Sequence, residues 1–154
     1  MRIDLHTHSN ASDGSDTPAE LVENAYAAGL DVVALTDHDT VDGYPEAIEA
    51  LRSVSRGRRF GLVPGIELSC IADGISLHLL GYLFDSTAPE LVAELHLLRT
   101  DRVRRAHAMT DKLAALGAPV TWDQVLRIAG EGAVGRPHVA QALVESGVVA
   151  DIAS

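Results

Sequence analysis

Two histidines stand two residues apart near the start of the chain, in the segment Asp4-Leu5-His6-Thr7-His8. Apolar and polar residues alternate here, which predicts a strand on which residues two apart share one face. His6 and His8 can therefore approach one metal ion from the same side, and Asp13 follows shortly after them. A lone His-x-His pair is a weak signal, because most single histidines are surface or core residues with a hydrogen bond.

Three further candidate ligands follow later in the chain, each on or just after a predicted strand: His38, Glu67 and His78. Imidazole nitrogens and carboxylate oxygens suit Zn, Mn and Fe. Together with His6, His8 and Asp13 they exceed what one ion takes, so two or three divalent ions are predicted. Such a centre suits hydrolysis, because one ion lowers the pKa of a bridging water to about 7 and its neighbours neutralise phosphoryl oxygens and the leaving group.

Other kinds of chemistry find little support. Cys70 is the only cysteine, which excludes an intrachain disulfide and a Cys-rich zinc site, and there is no Gly-x-Ser-x-Gly motif for a serine nucleophile. A net charge of −10 argues against a broad DNA-binding surface. There is no apolar run of membrane-spanning length and no secretory signal segment, so we expect no membrane association and a cytoplasmic location.

The elements that would position these residues alternate between strand and helix in the first half of the chain. Strands are predicted at 3–8, 31–35, 60–68 and 75–82. Helices are predicted from the capping box Thr17-Pro18-Ala19-Glu20 to Gly29, and from Pro45 to Val54. This alternation is typical of βαβ units with a parallel sheet, in which ligands collect at the carboxyl ends of the strands.

The second half is predicted to be helical without a clear strand. A long helix runs from Pro89 to Leu116, a short one follows the capping pair Thr121 and Gln124, and a last one runs from Pro137 to Gly147. We therefore divide the chain into a barrel part, 1–88, and a helical region, 89–154.

Several polar residues near these elements receive structural interpretations. The long helix carries a set predicted to form a solvated polar face: His96, Arg99, Arg102, Arg104, Arg105 and His107. Asp37 and Asp39 flank His38, and we predict that they orient it as hydrogen-bond acceptors. Trp122 is interpreted as a core anchor.

Five segments taken together resemble the PHP (polymerase and histidinol phosphatase) family of metal-dependent phosphoesterases. They are Asp4-Leu5-His6-Thr7-His8-Ser9, Ser12-Asp13-Gly14, Leu35-Thr36-Asp37-His38-Asp39-Thr40, Pro64-Gly65-Ile66-Glu67-Leu68-Ser69 and His78-Leu79-Leu80-Gly81-Tyr82. Within the family the chain is most similar to 3′,5′-nucleoside bisphosphate phosphatases and 5′-to-3′ exoribonucleases. The resemblance implies an α/β fold, the N-terminal part of a distorted (β/α)₇ TIM-like barrel, with a helical insertion.

The resemblance also implies roles for individual residues. His6 and His8 would bind the first metal pair and Glu67 would bridge it, while Asp13, His38 and His78 would complete a centre of Mn, Fe or Zn. In Gly135-Arg136-Pro137-His138, Arg136 and His138 would face the substrate phosphate. Substrates would be small phosphorylated nucleotides or short RNA 5′ ends, hydrolysed by metal-activated hydroxide.

The chain departs from the family pattern after the helical region. Family members are longer, and their later part supplies further ligands, so the C-terminal barrel part is expected to be missing. Two alternatives therefore stay open. One is another PHP phosphatase of the histidinol-phosphate type, and the other is a truncated, catalytically inactive metal-binding module.

Overall fold

The computed structural model describes residues 1–54, 57–130 and 132–151 of the 154-residue chain. The first half of the described chain alternates strands and helices, and the second half is helical, as predicted. In chain order the elements are β1 (Ile3–Thr7), α1 (Pro18–Ala27), β2 (Val32–Leu35), α2 (Tyr44–Val54), β3 (Gly61–Ala72), β4 (Ile75–Tyr82), α3 (Pro89–Ala115), α4 (Trp122–Ala129) and α5 (Arg136–Glu145).

The four strands form one sheet in the order β1-β2-β3-β4. β1 pairs with β2, and β2 with β3, in parallel, whereas β3 and β4 are antiparallel. The expectation of a parallel sheet is therefore wrong for β4. Asp73 and Gly74 join the last two strands with positive φ angles of 51° and 77°, which is the geometry of a two-residue hairpin turn and leaves no room for a crossover.

The sheet curls so that its two ends approach each other. The Tyr82 hydroxyl, at the end of β4, donates a hydrogen bond of 2.7 Å to the Leu5 carbonyl on β1, although these strands are at opposite ends of the sheet order. The curl brings side chains of β1, β3 and β4 to a common mouth. It is the geometry of a half-barrel.

The first hydrophobic core lies between α1, α2 and the middle strands. Its buried members are Leu21, Val22, Ala25, Val33, Leu35, Ala47 and Ala50. α1 begins at the predicted capping box: the backbone N–H of Glu20 donates to the Thr17 hydroxyl at 3.1 Å, and the Glu20 carboxylate accepts from the Thr17 N–H at 2.9 Å. Local sequence signals therefore set this end of the helix.

A second core holds α3, α4 and α5 together. Its buried members are Ala106, Val120, Val125, Ala129, Val134, Val139 and Ala142, with Trp122 packed against them. The backbone N–H of Ala133 donates to the Ala11 carbonyl at 3.0 Å, which attaches this helical region to the loop after β1. The region is described only to residue 151 and without residue 131, and the boundary at residue 88 stays a prediction. None of the helices in the described ranges combines the length and apolarity that a bilayer span requires.

Exposed apolar side chains on β4 predict self-association of the 154-residue chain. Leu77 and Leu79 point to the same side of the strand and are 47% and 58% exposed. Replacing both by Lys is expected to reduce dimers or aggregates in sedimentation velocity. Leu116→Lys, at a more exposed leucine beyond α3, is the control and should leave association unchanged. A monomeric wild-type chain with a cooperative thermal transition would contradict this prediction.

Candidate metal centre

The Glu67 carboxylate lies at the centre of a cluster of imidazoles. Its Oε2 is 2.7 Å from Nε2 of His6 and 3.0 Å from Nε2 of His8, and its Oε1 contacts Nδ1 of His78. Glu67 is only 3% exposed. A buried carboxylate with both oxygens facing imidazole nitrogens is the arrangement expected of a group that bridges metal ions.

Asp13 supplies the second carboxylate of the cluster. Its Oδ1 is 3.6 Å from Nδ1 of His8 and its Oδ2 is 3.6 Å from Nε2 of His38, which also lies 3.7 Å from the Glu67 carboxylate. The structure thus brings all six predicted ligands together. They form three overlapping groups whose donor atoms lie within 4.8 Å of one another: His6, His8 and Glu67; His8, Asp13 and His38; and His38, Glu67 and His78.

Backbone pairing between β3 and the segment just beyond the end of β2 places His38 beside Glu67. The N–H of Glu67 donates to the Asp37 carbonyl at 3.2 Å, and the N–H of Asp39 donates to the Glu67 carbonyl at 3.0 Å. His78 reaches the same carboxylate from β4, where it pairs with Ser69 on the same face as Glu67. The antiparallel hairpin, rather than the carboxyl end of a parallel strand, supplies this ligand.

Asp37 organises the loop between His8 and Asp13. Its buried carboxylate accepts hydrogen bonds from the Ser9 N–H at 2.7 Å, the Ser9 hydroxyl at 2.7 Å and the Ser12 hydroxyl at 2.6 Å. Burial raises the pKa of Asp37 even though these hydrogen bonds act to lower it. The prediction that Asp37 orients His38 is wrong, because its carboxylate is occupied by the loop on the β1 side.

Asp39 faces the opposite side of the cluster. Its carboxylate accepts from the N–H and the hydroxyl of Ser69, both at 2.7 Å, and from the guanidinium of Arg102 on α3. It therefore does not orient His38 either. Burial acts to raise the pKa of Asp39, but the hydrogen bonds from Arg102 and Ser69 outweigh it, so the pKa lies below its ordinary value.

The placement of Arg102 corrects the solvated-face interpretation of the long helix. Arg102 is only 9% exposed, whereas Arg99 and Arg104 lie on the exposed side. The other buried residues of α3 are Leu95, Ala106 and Thr110. Their spacing of seven, four and eight residues from Arg102 follows the helical period, and this signal in the sequence could have identified the buried arginine.

The electrostatics of the cluster favour a neutral His38 ring beside an ionised Glu67 carboxylate. Burial acts to raise the pKa of Glu67, but the surrounding histidines outweigh it and hold the pKa below its ordinary value. Burial, assisted by the nearby Arg102 charge, lowers the pKa of His38 to about 4. The His38 ring is therefore neutral near pH 7, which is the form that coordinates metal.

The residues present fit divalent metal ions. Nδ1 of His8 and Nδ1 of His38 are buried without a hydrogen-bond partner, and buried polar atoms normally have one. His8 offers this nitrogen to the group that it forms with Asp13 and His38, while its Nε2 faces Glu67. The donors are nitrogen and oxygen only, which suits Mn, Fe or Zn.

The two predicted phosphate-binding residues line different cavities. Arg136 is exposed at a cavity of about 850 Å³ that also contains His38 and His78, whereas His138 lines an adjoining cavity of about 880 Å³. Asp13 borders both cavities. Nδ1 of His138 accepts a hydrogen bond of 3.0 Å from the Gly135 N–H, and burial lowers the pKa of this imidazole.

Gly14 is required by close backbone packing at the loop that carries Asp13. A Cβ at this position would lie 2.2 Å from the His8 carbonyl oxygen. Gly14→Ala is therefore expected to lower the free energy of unfolding by about 2 kcal/mol, measured by urea denaturation. Gly61→Ala is the control, since its Cβ would meet nothing closer than 3.7 Å. Equal stability of the two variants would contradict the prediction.

The curled sheet and its histidine-carboxylate cluster define the class to which this chain belongs. The PHP domain model matches residues 4–110, so the chain is a member of the PHP family. A 5′-3′ exoribonuclease of Haemophilus influenzae is 41% identical over 150 residues, covering 97% of this chain and 53% of the relative. A 3′,5′-nucleoside bisphosphate phosphatase of Chromobacterium violaceum is 37% identical over 151 residues, covering 97% and 52%.

Solved structures of two other proteins share the fold. A metal-dependent phosphoesterase from Bifidobacterium adolescentis superposes with a TM-score of 0.91 at 35% identity, covering 99% of this chain and 53% of that one. An amidohydrolase from Chromobacterium violaceum with bound sulfate and no metal superposes with a TM-score of 0.90 at 34% identity, covering 99% of this chain and 53% of that one. The predicted fold class, a partial TIM-like barrel, is confirmed. The chain spans about half the length of the relatives that it matches.

Proposed function

We propose that this chain carries the metal centre of a phosphoesterase that hydrolyses small phosphorylated nucleotides or short RNA 5′ ends. The observation that carries the proposal is the set of three overlapping ligand groups joined by Glu67, His8 and His38. Shared ligands of this kind fit two or three ions close together. Bound ions would supply an activated water and neutralise the charge on a phosphoryl group.

The chain's own residues would hold this centre and shape its surroundings. Glu67 would bridge two ions, because its Oε2 faces His6, His8 and His38 and its Oε1 faces His78. Asp13 would join His8 and His38 at a neighbouring position. The neutral state of His38 leaves its lone pair free for binding without loss of a proton near pH 7.

The helical region 89–154 would form a cap over the substrate. Arg136 borders the cavity beside His38 and His78, and a guanidinium fork matches the oxygens of a phosphate group. His138, at the adjoining cavity, would meet a second part of the same ligand. Relatives named as a nucleoside bisphosphate phosphatase and a 5′-3′ exoribonuclease support a nucleotide or RNA substrate.

Phosphate release from adenosine 3′,5′-bisphosphate by the purified chain with added Mn²⁺ tests the proposal. A 5′-phosphorylated oligoribonucleotide and histidinol phosphate complete the substrate panel, and metal content is measured in parallel. Phosphate from the bisphosphate, or phosphate or mononucleotides from the RNA, is the expected product. Preference for histidinol phosphate would favour the other phosphatase type. Two or more tightly bound ions with no product from any of the three substrates would favour an inactive metal-binding module.

A further inference from the structure

A buried ion pair joins α3 to the strands that carry the metal ligands. The Arg102 guanidinium donates through Nε to the Asp39 carboxylate and through Nη2 to the Ser69 hydroxyl at 3.0 Å. The Asp39 carboxylate in turn accepts from the Ser69 N–H and hydroxyl. Arg102 is 9% exposed and Asp39 is fully buried. We call these three residues the Arg102 clamp.

The residues of the Arg102 clamp lie next to two of the predicted ligands in the chain. Asp39 follows His38 in the chain, and Ser69 comes two residues after Glu67. Asp39 also has a φ of 54°, a left-handed conformation that Asp tolerates but that persists only where its surroundings hold it. The position of His38 relative to Glu67 therefore depends on contacts that Arg102 completes.

Arg102 also packs against the segment that carries Arg136. A Cβ at Gly135 would lie 3.3 Å from Nη1 of Arg102 and 3.9 Å from the Asp13 carboxylate. The guanidinium thus lies beside Asp39, which follows the ligand His38, and beside Gly135, which precedes Arg136. A shift of α3 would be transmitted through Arg102 to the residues beside His38 and Glu67.

Stability alone is a weak reason for such a pair. Two buried charges lose their hydration, and an apolar replacement of the whole pair is often equally stable. Residues that hold metal ligands in place contribute to metal binding instead, because their loss typically lowers metal affinity by about 10–100-fold. The location of the clamp beside His38 and Glu67 matches that second role.

We propose that Arg102 is a positioning residue of the metal centre: through Asp39 and Ser69 it fixes the spacing of His38 and Glu67 and couples that spacing to α3. The inference rests on the proposed metal-binding function. It assigns to Arg102 no contact with substrate. Its expected signature is a change in metal binding that exceeds any change in folding.

The test measures Co²⁺ binding to the full chain and the visible absorption of the bound ion, which reports coordination geometry. Arg102→Met is expected to raise the Co²⁺ dissociation constant by about 10–100-fold and to alter the spectrum. Ser69→Ala removes only the hydroxyl that joins Asp39 and Arg102. It should raise the Co²⁺ dissociation constant by a smaller factor and cause a smaller change in the spectrum. Arg102→Lys should recover part of the affinity, because an ammonium keeps the charge without the fork.

Arg99→Met is the matched control. Arg99 lies on the same helix and pairs with Asp42 at the surface, so its loss should leave the dissociation constant and the spectrum unchanged. Unfolding of the metal-free variants is followed in parallel to separate folding from binding.

A folded Arg102→Met variant with wild-type Co²⁺ affinity and spectrum would overturn the positioning role, even if its metal-free form were less stable. If Arg102→Met does not fold, the Ser69→Ala variant provides the test. Unchanged Co²⁺ affinity and spectrum in Ser69→Ala would then overturn the positioning role. A wild-type chain that binds no Co²⁺, Mn²⁺ or Zn²⁺ would instead overturn the proposed function, and the clamp's role with it.

Discussion

Glu67→Gln is expected to lower metal content and phosphate release by at least about 100-fold. Loss of a residue that only hydrogen-bonds to a metal ligand typically costs up to about 100-fold, and loss of a bridging ligand should cost at least as much. Both carboxylate oxygens face imidazole nitrogens, so an amide would present one oxygen and one N–H group to the cluster. The N–H group cannot bind a cation. The substitution also removes the negative charge that the neighbouring ions would share. Metal analysis after dialysis and phosphate release from adenosine 3′,5′-bisphosphate measure the two effects.

Glu23→Gln is the control for the same chemical change at the surface. Glu23 is exposed on α1, and its variant should keep wild-type metal content and activity. Thermal unfolding of metal-free Glu67→Gln establishes that the variant is folded. Unchanged metal content in a folded Glu67→Gln chain would remove Glu67 as the bridge.

Asp37→Ala is expected to lower the free energy of unfolding by about 3 kcal/mol. The substitution leaves one N–H group and two hydroxyls of Ser9 and Ser12 without their acceptor in a buried site, and each such group costs about 1–3 kcal/mol. The expected loss of about 3 kcal/mol is below the sum of the costs for three unsatisfied groups, for two reasons. Hydroxyls can turn to other acceptors, and burial already disfavours the Asp37 charge, as its raised pKa indicates.

Urea denaturation of the metal-free chain measures this loss. Asp37→Asn keeps one carbonyl oxygen as an acceptor and should recover a large part of the stability. Asp111→Ala, at an exposed carboxylate on α3 that pairs with His107, should change stability by less than about 0.5 kcal/mol. An Asp37→Ala chain as stable as the Asp111→Ala chain would show that the Ser9 to Ser12 loop does not depend on this carboxylate.

Features that depend on neighbouring residues could be predicted from the sequence. The capping box at Thr17 and Glu20, the cap at Thr121 and the bounds of β4 all form as predicted. The candidate ligands could be chosen for the same reason: His6 and His8 share a strand face, Asp13 follows them closely, and His38, Glu67 and His78 lie on or just after predicted strands. Each signal lies within a few residues, where backbone geometry is set by local hydrogen bonds and side-chain spacing.

Other features depend on residues far apart in the chain. Arg102 was assigned to a solvated face because its neighbours in sequence are charged, but its partner Asp39 is 63 residues away. The adjacency of Asp37 and Asp39 to His38 predicts that they orient it, but Asp37 faces the loop after β1 and Asp39 faces Ser69 on β3.

The sequence by itself determined which residues have the chemistry to bind metal and which elements carry them, because residue type and local period are properties of short segments. The tertiary structure alone decided that Glu67 stands between four imidazoles, that β4 returns antiparallel to supply His78, and that a buried arginine ties α3 to the ligands. The physical reason is that a buried charge is stable only with a partner, and the curl of the sheet and the packing of the helices determine which partner it meets.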